Sequence, residues 1–414
     1  MIHRLEIENF YSIRETQVID LRIGAKVPDE EGRFAEINDG SGDRVPKVVA
    51  LFGANASGKS NVLKALTFLR WFLVDSVNAA PDAMLEFVSF ADASGTASTT
   101  RIKVYFDWFE DLSNTNLREM EGRPFARYSY ELRVINNLRI LDVLERGGIV
   151  LSEQLRMHPA SGKSRRVFER TSDGEVKTDT GFSLKGFSHI LAKLRRNASL
   201  TSTITQFIEE SPVSVFLAWA KRIPSNLHGQ KLDLQENAMV QYYASHPEIF
   251  AELNQVINRV DLGLSSASFI QLPSGNLGVT FAHRGLDFPL IFQAESEGTK
   301  SFVKIFPLIK EALIVGGTAV VDELDSTIHP NFLPEILRWF YDKGTNPHNA
   351  QLWISGQSAS LLEDLHKEEI FFTEKNENGH TRVYGLKDIE GVRRVDNFYQ
   401  KYLGGVYGAV PRIG

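Results

Sequence analysis

Lys47-Val-Val-Ala-Leu-Phe-Gly53-Ala-Asn55-Ala56-Ser57-Gly58-Lys59-Ser60 decides the fold of this 414-residue chain. An apolar run with strand character enters G-x-x-x-x-G-K-S, and Asn61-Val-Leu-Lys-Ala-Leu-Thr-Phe-Leu69 beyond it has helical spacing. Strand, glycine-rich loop and helix in this order make a phosphate-binding loop. The glycines let backbone N–H groups curl around phosphate oxygens, and the helix N-terminus faces the anion. Lys59 is expected to reach the β- and γ-phosphates and the Ser60 hydroxyl to ligate Mg²⁺. Gly53, Asn55, Ala56, Ser57, Gly58, Lys59, Ser60 and Asn61 are therefore the expected nucleotide-binding residues.

A second motif lies 262 residues downstream of Ser60. Gly317-Thr-Ala-Val-Val-Asp322-Glu323-Leu-Asp325 is an apolar strand ending in two acids. There, Asp322 can hold Mg²⁺ through water, and Glu323 can polarise an attacking water. The same run also reads as a buried strand that ends in a solvated acidic turn; the phosphate-binding loop upstream favours the first reading. Just before it, Glu295-Ser296-Glu297-Gly298-Thr299-Lys300 opens an apolar-periodic helix over Phe302 to Ile314. A small polar residue and a glycine at a helix N-terminus form another anion site, so Ser296, Gly298 and Thr299 join the expected nucleotide-binding set.

Together these segments resemble the ABC-type ATPases related to SMC, RecF and OLD proteins. Within that group the chain is most similar to the small ATPase subunits of bacterial phage-defence operons, the AbiL, RloA and PARIS types. The order Ser-x-Gly-Thr, helix, strand, Asp-Glu resembles their signature motif and Walker B strand. Leu5-Glu-Ile7-Glu-Asn9-Phe10-Tyr-Ser12-Ile looks like their first strand and turn. Asp322-Glu323-Leu-Asp325-Ser-Thr-Ile-His329-Pro330 looks like Walker B, the D-loop and the following helix start. Glu369-Ile-Phe-Phe-Thr-Glu374-Lys375 looks like a late strand of the head, and Tyr402-Leu-Gly-Gly-Val-Tyr-Gly408-Ala-Val-Pro411 like the end of the defence ATPases. The match covers both ends of the chain and not its middle.

The resemblance implies an α/β fold: an ABC-type P-loop ATPase head, with mixed β-sheets and flanking helices, carrying an inserted helical lid. It implies Mg²⁺-dependent hydrolysis of ATP, with ATP preferred by family because no base-reading motif is visible. It also implies a head-to-head dimer, in which the signature of one subunit closes over the γ-phosphate held by the other. The expected role is a sensor and scaffold in anti-phage defence by abortive infection. The chain would oligomerise, respond to a phage-encoded trigger and control a separate effector nuclease, Toprim-like or RloB-type, or an HNH nuclease in related systems. No Toprim centre is expected within this chain. One departure stands out. In Gln351-Leu-Trp-Ile-Ser355-Gly356-Gln357, Gln357 occupies the place where these families usually carry a histidine. Glutamine can hydrogen-bond phosphate but brings no positive charge, so slow turnover is expected. Glu323, Lys59 and Gln357 are the expected catalytic residues, and Ser60 and Asp322 the metal ligands.

Composition narrows the field. The absence of cysteine rules out disulfides, thiolate zinc sites, cysteine nucleophiles and a Cys-x-x-Cys zinc hook. Met1-Ile-His-Arg-Leu-Glu lacks a secretory h-region, and the apolar runs near Ala312–Val321 are too short to span a bilayer. A cytoplasmic location is expected. A net charge of -6 argues against whole-surface attraction to nucleic acid while leaving room for a local basic groove.

The long gap between Ser60 and Asp322 calls for an insertion, and no sustained heptad run marks a coiled coil. The expected parts are an N-terminal half of the head with a β-rich lobe (1–184), a helical lid (185–262) and a C-terminal half (263–414). Tyr128–Val134 and Arg139–Arg146 read as strands joined by an Asn136-Asn137 turn, and Arg166–Arg170 as a strand before the Asp173-Gly174 turn. Helices are expected at Ser188–Arg196, Thr203–Glu210, Val213–Arg222 and Glu248–Asp261, with the Tyr242-Tyr243 pair in the core. Strands return at Ser268–Leu272 and Leu277–Ala282, joined by Pro273-Ser-Gly-Asn, and near the Asn376–Gly379 turn. Lys193-Leu-Arg195-Arg196 and Lys163-Ser-Arg165-Arg166 could pair with phosphates, but read better as a solvated helix face and a hairpin edge. Arg393-Arg394-Val-Asp396 could orient the C-terminal segment or contact nucleotide. The competing reading is a RecF/SMC-like DNA-repair ATPase that clamps DNA directly, for which salt-sensitive DNA binding would be the mark.

Overall fold

Val48-Val-Ala-Leu-Phe52 is buried at every position, which requires cover on both faces of the strand. The computed structural model describes residues 1–37, 42–81, 83–92, 98–112, 124–137, 147–159, 163–179, 182–208, 211–227, 236–259, 263–272, 275–325, 328 and 332–411. From the N-terminus, β1 (Ile2–Glu8) pairs with β2 (Gln17–Asp20), and β3 (Phe34–Glu36) pairs with β4 (Arg44–Pro46). Next, β5 (Val48–Phe52) leads through the glycine loop into α1 (Lys59–Asp75). Then come β6 (Thr100–Phe109), β7 (Phe125–Asn137), β8 (Gly147–His158), β9 (Arg165–Thr171) and β10 (Val176–Thr178). The helices α2 (Ser188–Leu191), α3 (Leu200–Thr205), α4 (Pro212–Lys221), α5 (Glu236–Ser245) and α6 (Pro247–Arg259) follow, then β11 (Leu264–Gln271), β12 (Leu277–His283) and β13 (Leu290–Ile291). The chain continues through α7 (Glu297–Val315), β14 (Thr318–Val321), α8 (Leu333–Tyr341), β15 (Gln351–Ser355), β16 (Ile370–Lys375), β17 (Thr381–Gly385) and α9 (Phe398–Leu403).

Three sheets organise the molecule. The central one has the order β14-β15-β5-β16-β17, parallel except for its β17 edge. A seven-stranded sheet, β10-β9-β8-β7-β6-β1-β2, pairs antiparallel throughout, and β11-β12-β13 form a smaller antiparallel sheet. Because strand side chains alternate between faces, the central sheet separates two cores. Val49, Leu51, Val320 and Trp353 pack with α1, α3, α4 and the inner face of the seven-stranded sheet. Val48, Ala50, Phe52, Val321, Leu352 and Ile354 pack with α5 to α8 and β12. The fold is thus of the expected α/β class, mixed sheets with flanking helices.

The helices within 185–262 divide between these two cores. Residues of α3 and α4 join α1 in the first; Met239, Val240 and Tyr243 of α5 and Ile249 and Leu253 of α6 belong to the second. Tyr243 donates its hydroxyl to the Val303 carbonyl at 2.7 Å.

Several local expectations are corrected. Asn136 and Asn137 are not a turn but the end of β7, opposite Gly148 and Gly147. The Asn136 side chain is consumed by the 85–87 loop: it accepts from the Leu85 N–H and donates to the Leu85 and Phe87 carbonyls. The strand expected at 139–146 lies outside the described residues, as do Pro273 and Ser274 of the expected β11–β12 connection. The helix expected at Ser188–Arg196 stops at Leu191, where tighter turns take over: the Lys193 and Leu194 N–H groups donate to the Ile190 and Leu191 carbonyls. The helix expected from Thr203 starts earlier, at Leu200, where the Ser199 side chain accepts from the Ser202 N–H and caps it.

Candidate active site

Three motifs converge because three parallel strands end on the same side of the sheet. The glycine loop leaves β5, Asp322 and Glu323 follow β14, and Gly356-Gln357 follow β15, which lies between the other two. In open α/β sheets this carboxyl edge is where ligands bind.

The loop conformation demands its glycines. Gly53 adopts φ +152°, and a Cβ there would collide with the Thr373 carbonyl oxygen at the end of β16. Gly58 adopts φ +112°, and a Cβ would meet the Thr381 side chain. Polar side chains hold the loop from outside. Ser57 Oγ and Thr373 Oγ1 lie 2.6 Å apart, and Thr381 Oγ1 donates to the Ser57 carbonyl at 2.8 Å. Asn61 donates to Ser12 Oγ at 2.7 Å, and Ser12 Oγ lies 2.7 Å from Thr381 Oγ1. The Asn9–Ile13 turn is thereby tied to the first turn of α1, and Asn9 and Tyr11 reach it with φ of +52° and +47°. Asn55 and Ala56 stay exposed at the loop tip.

Lys59 is buried, and its ammonium donates to the Gly53 and Ala54 carbonyls at 2.7 and 3.2 Å. Burial lowers its pKa, opposed by the carboxylates of Asp322, Asp325 and Glu323. Ser60 Oγ donates to Asp322 Oδ1 at 3.1 Å, and Ser355 Oγ donates to the same oxygen. Asn226 fixes the Asp322 backbone from both sides, accepting from its N–H at 2.8 Å and donating to its carbonyl at 3.0 Å. Glu323 sits at φ +52°, a left-handed conformation that costs a non-glycine residue about 1–2 kcal/mol. Its N–H donates to Ser355 Oγ, and its carboxylate accepts from Gln357 Nε2, both at 2.8 Å. Asp325 in turn accepts from the Gln357 N–H at 2.8 Å and from the Ser358 N–H.

Ser60, Asp322, Glu323 and Gln357 are therefore joined through Ser355 into one hydrogen-bonded constellation, while the Lys59 ammonium is held by loop carbonyls. Ser296, Gly298 and Thr299 stand apart from it: among the described residues, no hydrogen bond joins them to the glycine loop. Ser296 is exposed and caps α7, accepting from the Thr299 N–H at 3.1 Å. His329 and Pro330 lie outside the described residues.

Asn226, Ser355, Asp325, Thr373 and Thr381 are missing from the sequence-derived set. Ser355 could have been found as the polar last residue of a strand at the ligand edge. Asn226 carries no such mark, since it works through backbone contacts across 96 residues. Several members of the basic clusters have acidic or carbonyl partners within the chain. Arg195 donates to the Ala79 and Val77 carbonyls, Arg165 and Arg166 face Asp179 and Glu169, and Arg394 pairs with Glu368 at 3.0 Å.

The donor set suits Mg²⁺. A serine hydroxyl and one carboxylate are hard oxygen ligands, and Mg²⁺ in nucleotide sites takes its remaining ligands from phosphate and water. Among the described residues, no group of three or more histidine, aspartate or glutamate side chains is placed to hold a metal ion. No helix among them is long and apolar enough to cross a membrane.

Solved structures similar to the chain include the SMC head bound to the C-winged helix domain of ScpA, at 16% identity over 93% of this chain and 97% of that one (TM-score 0.43). The SMC head domain from Thermotoga maritima matches at 12% identity over 93% and 98% (TM-score 0.39). The SMC head with an extended coiled coil bound to the C-terminal domain of ScpA, from Pyrococcus furiosus, matches at 12% identity over 93% and 96% (TM-score 0.44). No curated protein matches the chain. The family model described as "AAA domain, putative AbiEii toxin, Type IV TA system" matches residues 48–363, spanning the glycine loop, the Asp322–Glu323 strand and Gln357. The chain belongs to this family of AAA-type ATPase domains.

Proposed function

We propose that the chain binds ATP with Mg²⁺ at Gly53–Asn61 and hydrolyses it slowly. The observation that carries this is the hydrogen-bonded chain Ser60–Asp322–Ser355–Glu323–Gln357 at one edge of the parallel sheet. Ser60 and Asp322 would hold the metal, which when bound neutralises charge on the phosphates. Lys59, already desolvated, would move from loop carbonyls to phosphate oxygens. The Glu323 carboxylate would accept a proton from the attacking water, and Gln357 would keep that carboxylate oriented. Because Gln357 adds no cation beside the γ-phosphate, turnover would be slow and better suited to a switch than a motor.

In this reading ATP brings two heads together. The exposed Ser296 and half-buried Gly298 at the start of α7 would close over the nucleotide held by a second copy. The division into an N-terminal half, a lid at 185–262 and a C-terminal half belongs to the same proposal. The assembly would act as a sensor and scaffold in anti-phage defence in the cytoplasm, answering a phage-encoded trigger and controlling a separate effector nuclease of Toprim-like or RloB type.

The test is native mass spectrometry of the protein purified with the products of neighbouring genes in ATP and Mg²⁺. A complex of several copies with a nuclease-like chain is expected. A lone dimer that captures DNA with steep salt dependence would instead indicate a RecF/SMC-like repair clamp.

A further inference from the structure

The glycine loop is also held from behind, by residues 402–411. Ala54 donates its N–H to the Ala409 carbonyl at 3.0 Å, and Tyr402 donates its hydroxyl to the same oxygen at 3.2 Å. The Ala409 N–H reaches Glu374 Oε2 at 3.2 Å. Tyr384 places its hydroxyl 3.3 Å from that carboxylate oxygen and 2.8 Å from the Tyr407 carbonyl. The fit is close: a Cβ on Gly408 would stand 2.8 Å from the Tyr384 hydroxyl and 3.0 Å from Glu374 Oε2. Ala409 itself adopts φ +58°. Beneath the segment, Phe372 of β16 stacks on Tyr402 and Tyr407 with ring centroids 5.2 and 5.9 Å apart.

Two further contacts link this segment to the chemistry. The Ala54 carbonyl accepts from Lys59 at 3.2 Å, so the strap holds one side of Ala54 and the expected phosphate-binding lysine holds the other. In addition, α9 packs against the 359–363 turn that follows Gln357.

We propose that residues 402–411 are a strap that positions the nucleotide loop, with Ala409 as its contact and Glu374 and Tyr384 as its anchors. The inference rests on the nucleotide-binding reading above. When Lys59 transfers to phosphate it releases the Ala54 carbonyl, leaving the strap as the hold on that peptide. Nucleotide and strap then share one loop conformation. By linkage, if a seated strap favours nucleotide, bound nucleotide favours a seated strap by the same factor.

The test compares wild type with Ala409→Val and Ala409→Gly. Valine disfavours φ +58°, whereas glycine accepts it. Each protein is titrated with fluorescent mant-ATP and Mg²⁺, and KM and kcat for ATP are measured beside the melting temperature. Ala409→Val is expected to bind about tenfold more weakly, the net worth of roughly one hydrogen bond, with KM raised and kcat retained. Ala409→Gly is expected to match wild type. Hydrogen exchange on wild type decides the matter even if Ala409→Val does not fold: a non-hydrolysable ATP analogue should slow exchange across 404–411. Unchanged exchange there, or wild-type affinity in folded Ala409→Val, overturns the strap alone. Failure of wild type to bind mant-ATP overturns the nucleotide reading as well.

Discussion

Ser60 donates a 3.1 Å hydrogen bond to Asp322 although 262 residues separate them. The contact exists because β5 and β14 flank β15 in parallel, so their carboxyl ends open on one site. Asp322→Asn keeps the shape of the side chain and removes its charge. The variant is expected to melt near wild type and to lose hydrolysis by about 10²-fold or more, since metal-assisted charge stabilisation is worth several kcal/mol. Phosphate release measured across a Mg²⁺ titration checks this; wild-type turnover would remove Asp322 from the metal site.

Glu323 combines a left-handed backbone with a carboxylate held by Gln357. Function and stability should therefore separate at this position. Glu323→Gly relieves about 1–2 kcal/mol of backbone strain, against about 0.5–1 kcal/mol of added chain entropy in the unfolded state. Its melting temperature is expected to equal or exceed that of wild type while hydrolysis falls by about 10²- to 10⁴-fold, the range for loss of a general base. A clear drop in melting temperature would contradict the strain argument.

Gly53 packs against the Thr373 carbonyl, a backbone atom that has little room to retreat. Gly53→Ala is expected to abolish nucleotide binding and to destabilise the protein by about 1–3 kcal/mol, as overpacking does. Gly174, at φ +86° with open space around it, provides the control. Gly174→Asn should leave nucleotide binding unchanged, as measured by titration and thermal melts.

Gln357 lies at the carboxyl edge of β15 and touches Glu323 without carrying charge. Gln357→His is expected to raise kcat, more so below about pH 6.5 where the free imidazole gains a proton. Gln357→Ala releases the Glu323 carboxylate and is expected to lower kcat. A pH–rate profile of the three proteins checks both directions, and an inert Gln357→His would separate this residue from the phosphates.

Much of the site was legible because its chemistry is local in sequence. The glycine loop, the Asp322–Glu323 pair and Gln357 each follow an apolar strand, and strand ends mark the ligand edge of such sheets. The supporting residues were harder to read. Ser12, Asn226 and Thr381 act through one or two side-chain hydrogen bonds to segments 49 to 369 residues away, and no periodicity encodes such contacts. Asn136 misled for a related reason: its turn chemistry is spent on a neighbouring loop while its backbone continues the strand. α5 had no clear signal, since polar Gln241 and Ser245 interrupt its apolar residues.

The most direct test of ATP-driven head closure is native mass spectrometry of Glu323→Gln with and without ATP and Mg²⁺. The account predicts monomer-to-dimer conversion on ATP addition, two nucleotides per dimer, and loss of that dimer when Ser296→Arg is added. A Glu323→Gln protein that hydrolyses ATP at the wild-type rate, or that binds ATP and stays monomeric, would contradict it.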